Sequence, residues 1–138
     1  MKVIIDTPIW SVALRRESDS HHAAILADLG RRGQIQMLGP IRQEVLSGIR
    51  DGRQFQHIRD RLAVFPDISL EQVDYELAAQ MFNRCRSRGI QGSNTDFLIC
   101  AAAVRRDLLV YSTDLDFKLF ARHVRVKLFV APREESSP

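Results

Sequence analysis

Short apolar runs rich in β-branched residues alternate with longer segments of helical periodicity along the whole chain, and that alternation constrains the fold most. "KVIID" (Lys2 to Asp6) reads as a strand, and "TPIWSVALRR" follows as a helix, with Thr7 as N-cap and Pro8 at its first position. "SHHAAILADLGRRG" is a second helix, ending at Gly30 or Gly33, and "IQMLG" (Ile35 to Gly39) a second strand. "PIRQEVLSGI" and "DGRQFQHIRDRLAVF" read as the two arms of a helical hairpin hinged near Gly48 to Gly52. A long amphipathic helix runs through "SLEQVDYELAAQMFNRCRSRG", opened by the box Ser69-x-x-Gln72 and closed by Gly89. The alanine-rich helix "SNTDFLICAAAVRRD", the strand "LLVYS", the helix "LDFKLFARH" and the strand "VKLFV" complete the series. Parallel strands need helical crossovers, so the alternation predicts an α/β domain with a mainly parallel central sheet flanked by helices.

A chain of 138 residues with 45% hydrophobic content is long enough for one domain with a buried core. The reading is one domain over residues 1–132 and a frayed tail, "REESSP", over 133–138. The N-terminal apolar run is too short for a signal peptide, and no stretch approaches the roughly 20 apolar residues of a spanning helix, so no membrane association and a cytoplasmic location are expected. Cys85 and Cys100 lack C-x-x-C spacing, and His21, His22, His57 and His123 lack i, i+4 metal spacing. Neither phosphate-binding glycine motif is present, which argues against a nucleotide cofactor.

The carboxylates carry the functional signal. In β-α-β units, strand ends and helix starts collect on one edge of the sheet, where open α/β sheets bind ligands. Asp6 ends the first strand, Glu44 lies in the helix after the second, Asp96 in the first turn of the alanine-rich helix, and Asp114 and Asp116 just past "LLVYS". Helix capping accounts for some of these acids: Ser93-x-x-Asp96 is a capping box, and Thr113-x-x-Asp116 has the pattern of another. It does not readily account for Asp6, which precedes a threonine already suited to cap, or for Glu44, which lies beyond the first turn. Clustered carboxylates repel unless cations neutralise them, and Mg²⁺ or Mn²⁺ prefers such oxygen ligands.

"IIDTPIW", Glu44 within "PIRQEVLSG", "NTDFLICAAAV" and "YSTDLDF", in that order and spacing, resemble the PIN-domain ribonucleases of the VapC toxin type, from Lys2 to about Val130. The resemblance implies a PIN-like fold and a metal-dependent endoribonuclease acting as the toxin of a toxin-antitoxin pair. It implies that Asp6, Glu44, Asp96 and Asp114 are the catalytic, metal-binding acids, that Asp116 assists in holding Mg²⁺ or Mn²⁺, and that Thr7 and Ser112 support them. It also implies an RNA substrate, a small VapB-like antitoxin partner and a homodimer, with the hairpin and the apolar side of Ile9, Trp10 and Leu14 as contact surfaces. Trp10 is equally suited to the core. "STDLDF" departs from the commoner pattern, an asparagine and a longer spacer before the final Asp-Phe, and leaves the roles of Asp114 and Asp116 undivided.

Charge agrees with a polyanionic substrate. Setting the five acids aside leaves 12 acidic against 20 basic residues, 17 of them arginine. Arg84, Arg86, Arg88, Arg105 and Arg106 also suit helix C-termini as solvated cations. A receiver domain would need a lysine at a later strand end, and a haloacid-dehalogenase-like phosphatase a second acid in "DTPIW"; neither is present. A non-catalytic RNA-binding or antitoxin-interacting module is the alternative, separated from the enzyme by metal-dependent RNA cleavage.

Overall fold

The computed structural model describes residues 1–15 and 20–133. Of the "REESSP" tail, all but Arg133 lies outside the described residues. The elements are β1 (Val3–Ile5), α1 (Thr7–Ala13), α2 (His21–Arg31), β2 (Ile35–Gln36), α3 (Gly39–Leu46), α4 (Gly52–Leu62), α5 (Gln72–Ser87), α6 (Asn94–Arg106), β3 (Leu109–Tyr111), α7 (Asp116–Ala121) and β4 (Lys127–Leu128). The strands form one sheet in the order β2-β1-β3-β4, and every neighbouring pair is parallel.

β1 is buried along its whole length, as a parallel strand covered by helices on both faces must be. α6 is buried continuously from Phe97 to Ala103, and its run Ala101 to Ala103 presents no bulky side chain, so neighbouring elements can pack close. α5 packs along α6 as an antiparallel partner, and the loop through Gly89 joins the carboxyl end of α5 to the start of α6. Gly89 supplies the positive φ (75°) that closes α5, with the Ile90 N–H donating to the Cys85 carbonyl at 2.9 Å. Because α6 returns directly into β3, its N-terminus and this loop lie at the carboxyl edge of the sheet, and its C-terminus at the amino edge.

Four local expectations are corrected. Asp6, not Thr7, caps α1: the backbone leaving β1 is already extended (φ −69°, ψ 153°), the conformation an N-cap requires, so the last strand residue takes the role. "IQMLG" is a strand only over Ile35–Gln36, because Pro40 draws the start of α3 back to Gly39. α5 is opened by Glu71 and Asp74 rather than by Ser69-x-x-Gln72: the Glu71 N–H donates to Asp74 Oδ2 at 2.8 Å. Ile9, Trp10 and Leu14 are buried and so offer no contact surface; Trp10 packs on Phe65 with ring centroids 5.3 Å apart.

Asp74 is fully buried, and two arginines from the end of α6 neutralise it. Arg105 Nη1 and Arg106 Nη1 reach Oδ1 at 2.7 and 2.8 Å, and Arg106 Nη2 donates to Oδ2 at 2.8 Å. Hydrogen bonding from Arg106 is the chief reason its carboxyl titrates well below the usual carboxylate range. Arg105 and Arg106 are thus not freely solvated cations: they tie the start of α5 to the end of α6 at the amino edge.

Candidate active site

The final hydrogen bond between β1 and β3, from the Asp6 N–H to the Tyr111 carbonyl (2.9 Å), pins Asp6 at the carboxyl edge. The residue is only 6% exposed. Oδ1 accepts the Thr7 N–H at 2.9 Å, and Oδ2 accepts the Ser112 hydroxyl at 2.7 Å. Ser112 Oγ in turn accepts the Asp114 N–H at 3.0 Å, so one hydroxyl fixes two acids from the ends of adjacent strands. The Thr7 hydroxyl, free because Asp6 has taken the cap, donates to Glu44 Oε2 at 2.8 Å and draws α3 toward β1.

Asp96 enters from α6 through the expected capping box: its N–H donates to Ser93 Oγ at 3.1 Å, and its Oδ2 accepts the Ser93 N–H at 3.0 Å. Asp114 Oδ1 accepts the Asp116 N–H at 2.9 Å, so Asp114, rather than Thr113, satisfies the start of α7. The other carboxylate oxygens of Asp96 and Asp114 have no protein donor among the described residues. Asp116 is the first, exposed residue of α7, and its backbone, not its carboxylate, ties it to Asp114.

The electrostatics couple these acids. Burial raises the Asp6 pKa above the ordinary value; hydrogen bonds from Ser112 and Thr7 oppose the shift, and the charges of Asp96 and Asp114 add to it. Burial likewise raises that of Asp96; hydrogen bonding to Ser93 opposes the shift, and the charges of Asp114 and Glu44 reinforce it. Acids from four distant segments therefore lie close enough for their charges to act on Asp6 and Asp96. Among the described residues, no three His, Cys, Asp or Glu side chains are grouped so that they could hold a metal ion as they stand. The donor chemistry nevertheless fits a hard divalent cation: the donors are all oxygen, repel one another, and include oxygens left without protein partners.

An aromatic cluster lies beneath this edge. Phe97 follows Asp96 and Phe117 follows Asp116, and both pack on Phe120 with ring centroids 4.7 and 5.2 Å away. Gly92 rests directly on these rings: a Cβ there would come within 2.6 Å of Phe120 Cζ and 2.9 Å of Phe97 Cε2. Both rings are buried and cannot swing aside, so Gly92→Ala is expected to cost about 1–3 kcal/mol by overpacking and to disturb the Ser93–Asp96 box. Thermal unfolding checks it; a melting temperature equal to the parent's would contradict the tight contact.

The sequence reading missed the double role of Ser112 and the pairing of Asp74 across helices. The hydroxyl next to a strand-end acid was a usable signal for the first, whereas the second needs the α5–α6 register.

Among solved structures, one chain of FitAcB from Neisseria gonorrhoeae is similar, with TM-score 0.76 and 19% identity over 94% of this chain and 97% of that one. One chain of VapBC2 from Rickettsia felis bound to a DNA fragment from their promoter is equally similar: TM-score 0.76, 20% identity, 94% and 98% coverage. FitAB bound to an IR36 DNA fragment follows at TM-score 0.75 and 18% identity, covering 92% and 93%. No curated protein matches the sequence. A model of the PIN domain matches residues 3–123, a span that begins in β1, contains Asp6, Glu44, Asp96, Asp114 and Asp116, and closes after α7. With the parallel sheet and the acid-lined edge, that match makes the chain a member of the PIN domain family.

Proposed function

We propose that this protein is a VapC-type toxin, an endoribonuclease that hydrolyses RNA phosphodiester bonds with Mg²⁺ or Mn²⁺. The observation that carries the reading is the convergence of Asp6, Glu44, Asp96 and Asp114 at the carboxyl edge, tied by Thr7 and Ser112 and close enough for their charges to act on Asp6 and Asp96. These four are the ligands and catalytic acids, with Asp116 assisting. A bound divalent ion would lower the pKa of a water and offset charge on the phosphoryl oxygens. Within the protein, Ser112 and Thr7 hold Asp6, Asp114 and Glu44 in orientation, and Ser93 holds Asp96.

The similar chains come from two-component complexes, VapBC2 and FitAB, which supports a small VapB-like antitoxin as partner of this chain. A homodimer and a cytoplasmic site of action belong to the same reading. Among the described residues no helix is long and apolar enough to cross a membrane.

Among the described residues the converging acids do not stand as a ready metal-holding group, which favours a second reading, a non-catalytic RNA-binding or antitoxin-interacting module. One experiment separates the two: the chain, freed of any co-purifying small protein, is incubated with RNA in Mg²⁺, in Mn²⁺ and in excess chelator. Cleavage with either ion that ceases in chelator is expected. RNA bound but left intact under every condition would establish the non-catalytic module.

A further inference from the structure

Beside the acids, a cavity of about 220 Å³ opens where the end of α5 meets the loop into α6, lined by Phe82, Arg86, Ile90, Gln91, Gly92 and Phe97. It lies at the carboxyl edge, and two of its lining residues flank the Ser93–Asp96 box directly: Gly92 before Ser93, and Phe97 after Asp96. It is smaller than the roughly 300–1,000 Å³ of pockets that take drug-sized ligands, a size suited to a single ring system. Phe82 and Arg86, four apart on α5, share one helix face, and Phe82 meets Phe97 edge-on at 5.6 Å.

Arg86 lines this cavity from the last turn of α5; Arg84 and Arg88, each two residues from it, do not. All three are exposed, and among the described residues none faces a carboxylate, whereas Arg42, Arg105 and Arg106 are each engaged in an ion pair. Arg86 is placed to meet a ligand that enters the cavity.

We propose that this cavity is the base-binding subsite of the nuclease: it takes one unpaired nucleobase of single-stranded RNA flanking the cleaved phosphodiester, with the Arg86 guanidinium at its wall. This rests on the nuclease reading above. Single-stranded RNA is recognised by splaying a base onto aromatic or guanidinium planes and reading its edge by hydrogen bonds. Phe82 and Arg86 offer such planes, and the Gln91 amide both donates and accepts. Gly92 keeps the floor low by letting the loop lie on Phe97 and Phe120. A duplex, with its bases stacked and paired, cannot place one there.

The test uses full-length protein carrying Asp6→Asn to suppress cleavage, and fluorescence anisotropy with a short labelled single-stranded RNA or the same strand annealed to its complement. The single strand is expected to bind more tightly. Phe82→Leu and Arg86→Ala should each weaken it roughly fivefold or more, the loss of one stacked base, and Gln91→Ala should change the order of preference among homopolymers. Arg31→Glu, at the amino edge, is the unchanged control. Circular dichroism verifies folding of Phe82→Leu, and exposed Gln91 and Arg86 supply variants that leave the core untouched.

If the parent cuts RNA while Arg86→Ala and Gln91→Ala bind and cut as the parent does, the subsite is refuted and the nuclease stands. If those substitutions alter sedimentation of the protein but not RNA affinity, the surface is a protein contact and the proposal is equally overturned. If the parent neither cuts nor binds RNA, the nuclease reading itself has failed, and the subsite with it.

Discussion

Asp74→Ala is expected to destabilise the protein by about 3 kcal/mol, near the lower end of the cost of breaking a buried ion pair. The substitution leaves Arg105 and Arg106 facing an empty space, and both retain some exposure (29% and 24%), so they recover part of their hydration. For a chain of this size that loss lowers the melting temperature by on the order of 10 °C. Asp74→Asn should cost less, because the amide keeps the shape and one acceptor. A pH series adds a second check. The Asp74 carboxyl titrates lower in the folded than in the unfolded state, so its stabilisation is present above the unfolded value of about 3.9 and is lost as pH falls below it toward the folded value. Thermal melts from neutral to acidic pH should show this loss in the parent and a smaller one in Asp74→Asn. Equal melting temperatures at neutral pH would mean that the pair is not what joins α5 to α6.

Substitution of the edge acids is expected to act in the opposite sense on stability and far more strongly on activity. Asp6 and Asp96 titrate higher in the folded state, so at neutral pH their ionised forms oppose folding of the metal-free protein. That cost is absent below the unfolded value and sets in as pH rises toward and through the folded values. Asp6→Asn keeps an acceptor for the Thr7 N–H, turns its NH2 to donate to the Ser112 hydroxyl oxygen, and removes the charge, so without metal it should melt above the parent at neutral pH. Asp96→Asn should do the same while retaining the Ser93 box. Both should lose RNA cleavage by roughly a hundredfold or more, the scale of removing one preorganised electrostatic group from an active site. Higher stability with lost activity is the signature of a functional acid; a purely structural carboxylate would lose stability when neutralised.

How far the fold was legible follows from where the information lay. The parallel sheet could be read because each strand is a short apolar run between helices, as in "KVIID" and "LLVYS", and because Pro8, Pro40, Gly33 and Gly89 mark helix ends by local backbone chemistry. The errors fell where two residues compete for one role. Asp6 displaced Thr7 because the exit from β1 had already set the cap backbone, which local pattern does not encode. Glu71 and Asp74 displaced Ser69 because arginines more than thirty residues away hold Asp74 in place.

The position of the acids was legible for a topological reason: strand ends and helix starts must share an edge. Their supporting bonds were only half legible. Thr7 and Ser112 could be named beside the acids, but that Thr7 reaches Glu44, and that Ser112 serves Asp6 and Asp114 together, depends on distances across the sheet. The arginines could not be sorted from sequence, since every helix C-terminus favours a cation. Only the antiparallel packing of α5 on α6 sends Arg84, Arg86 and Arg88 to the acid edge and Arg105 and Arg106 to the other.

The most direct measurement is the rate of RNA cleavage by the parent and by Asp6→Asn as Mg²⁺ is raised at fixed salt, with RNA affinity measured on the same samples. The expected result is parent cleavage that grows with Mg²⁺ and saturates, and a variant that binds RNA at least as tightly, one facing negative charge having been removed, yet does not cut. Cleavage by Asp6→Asn at the parent rate, or parent cleavage indifferent to Mg²⁺ and to its chelation, would contradict a metal-dependent nuclease built on these acids.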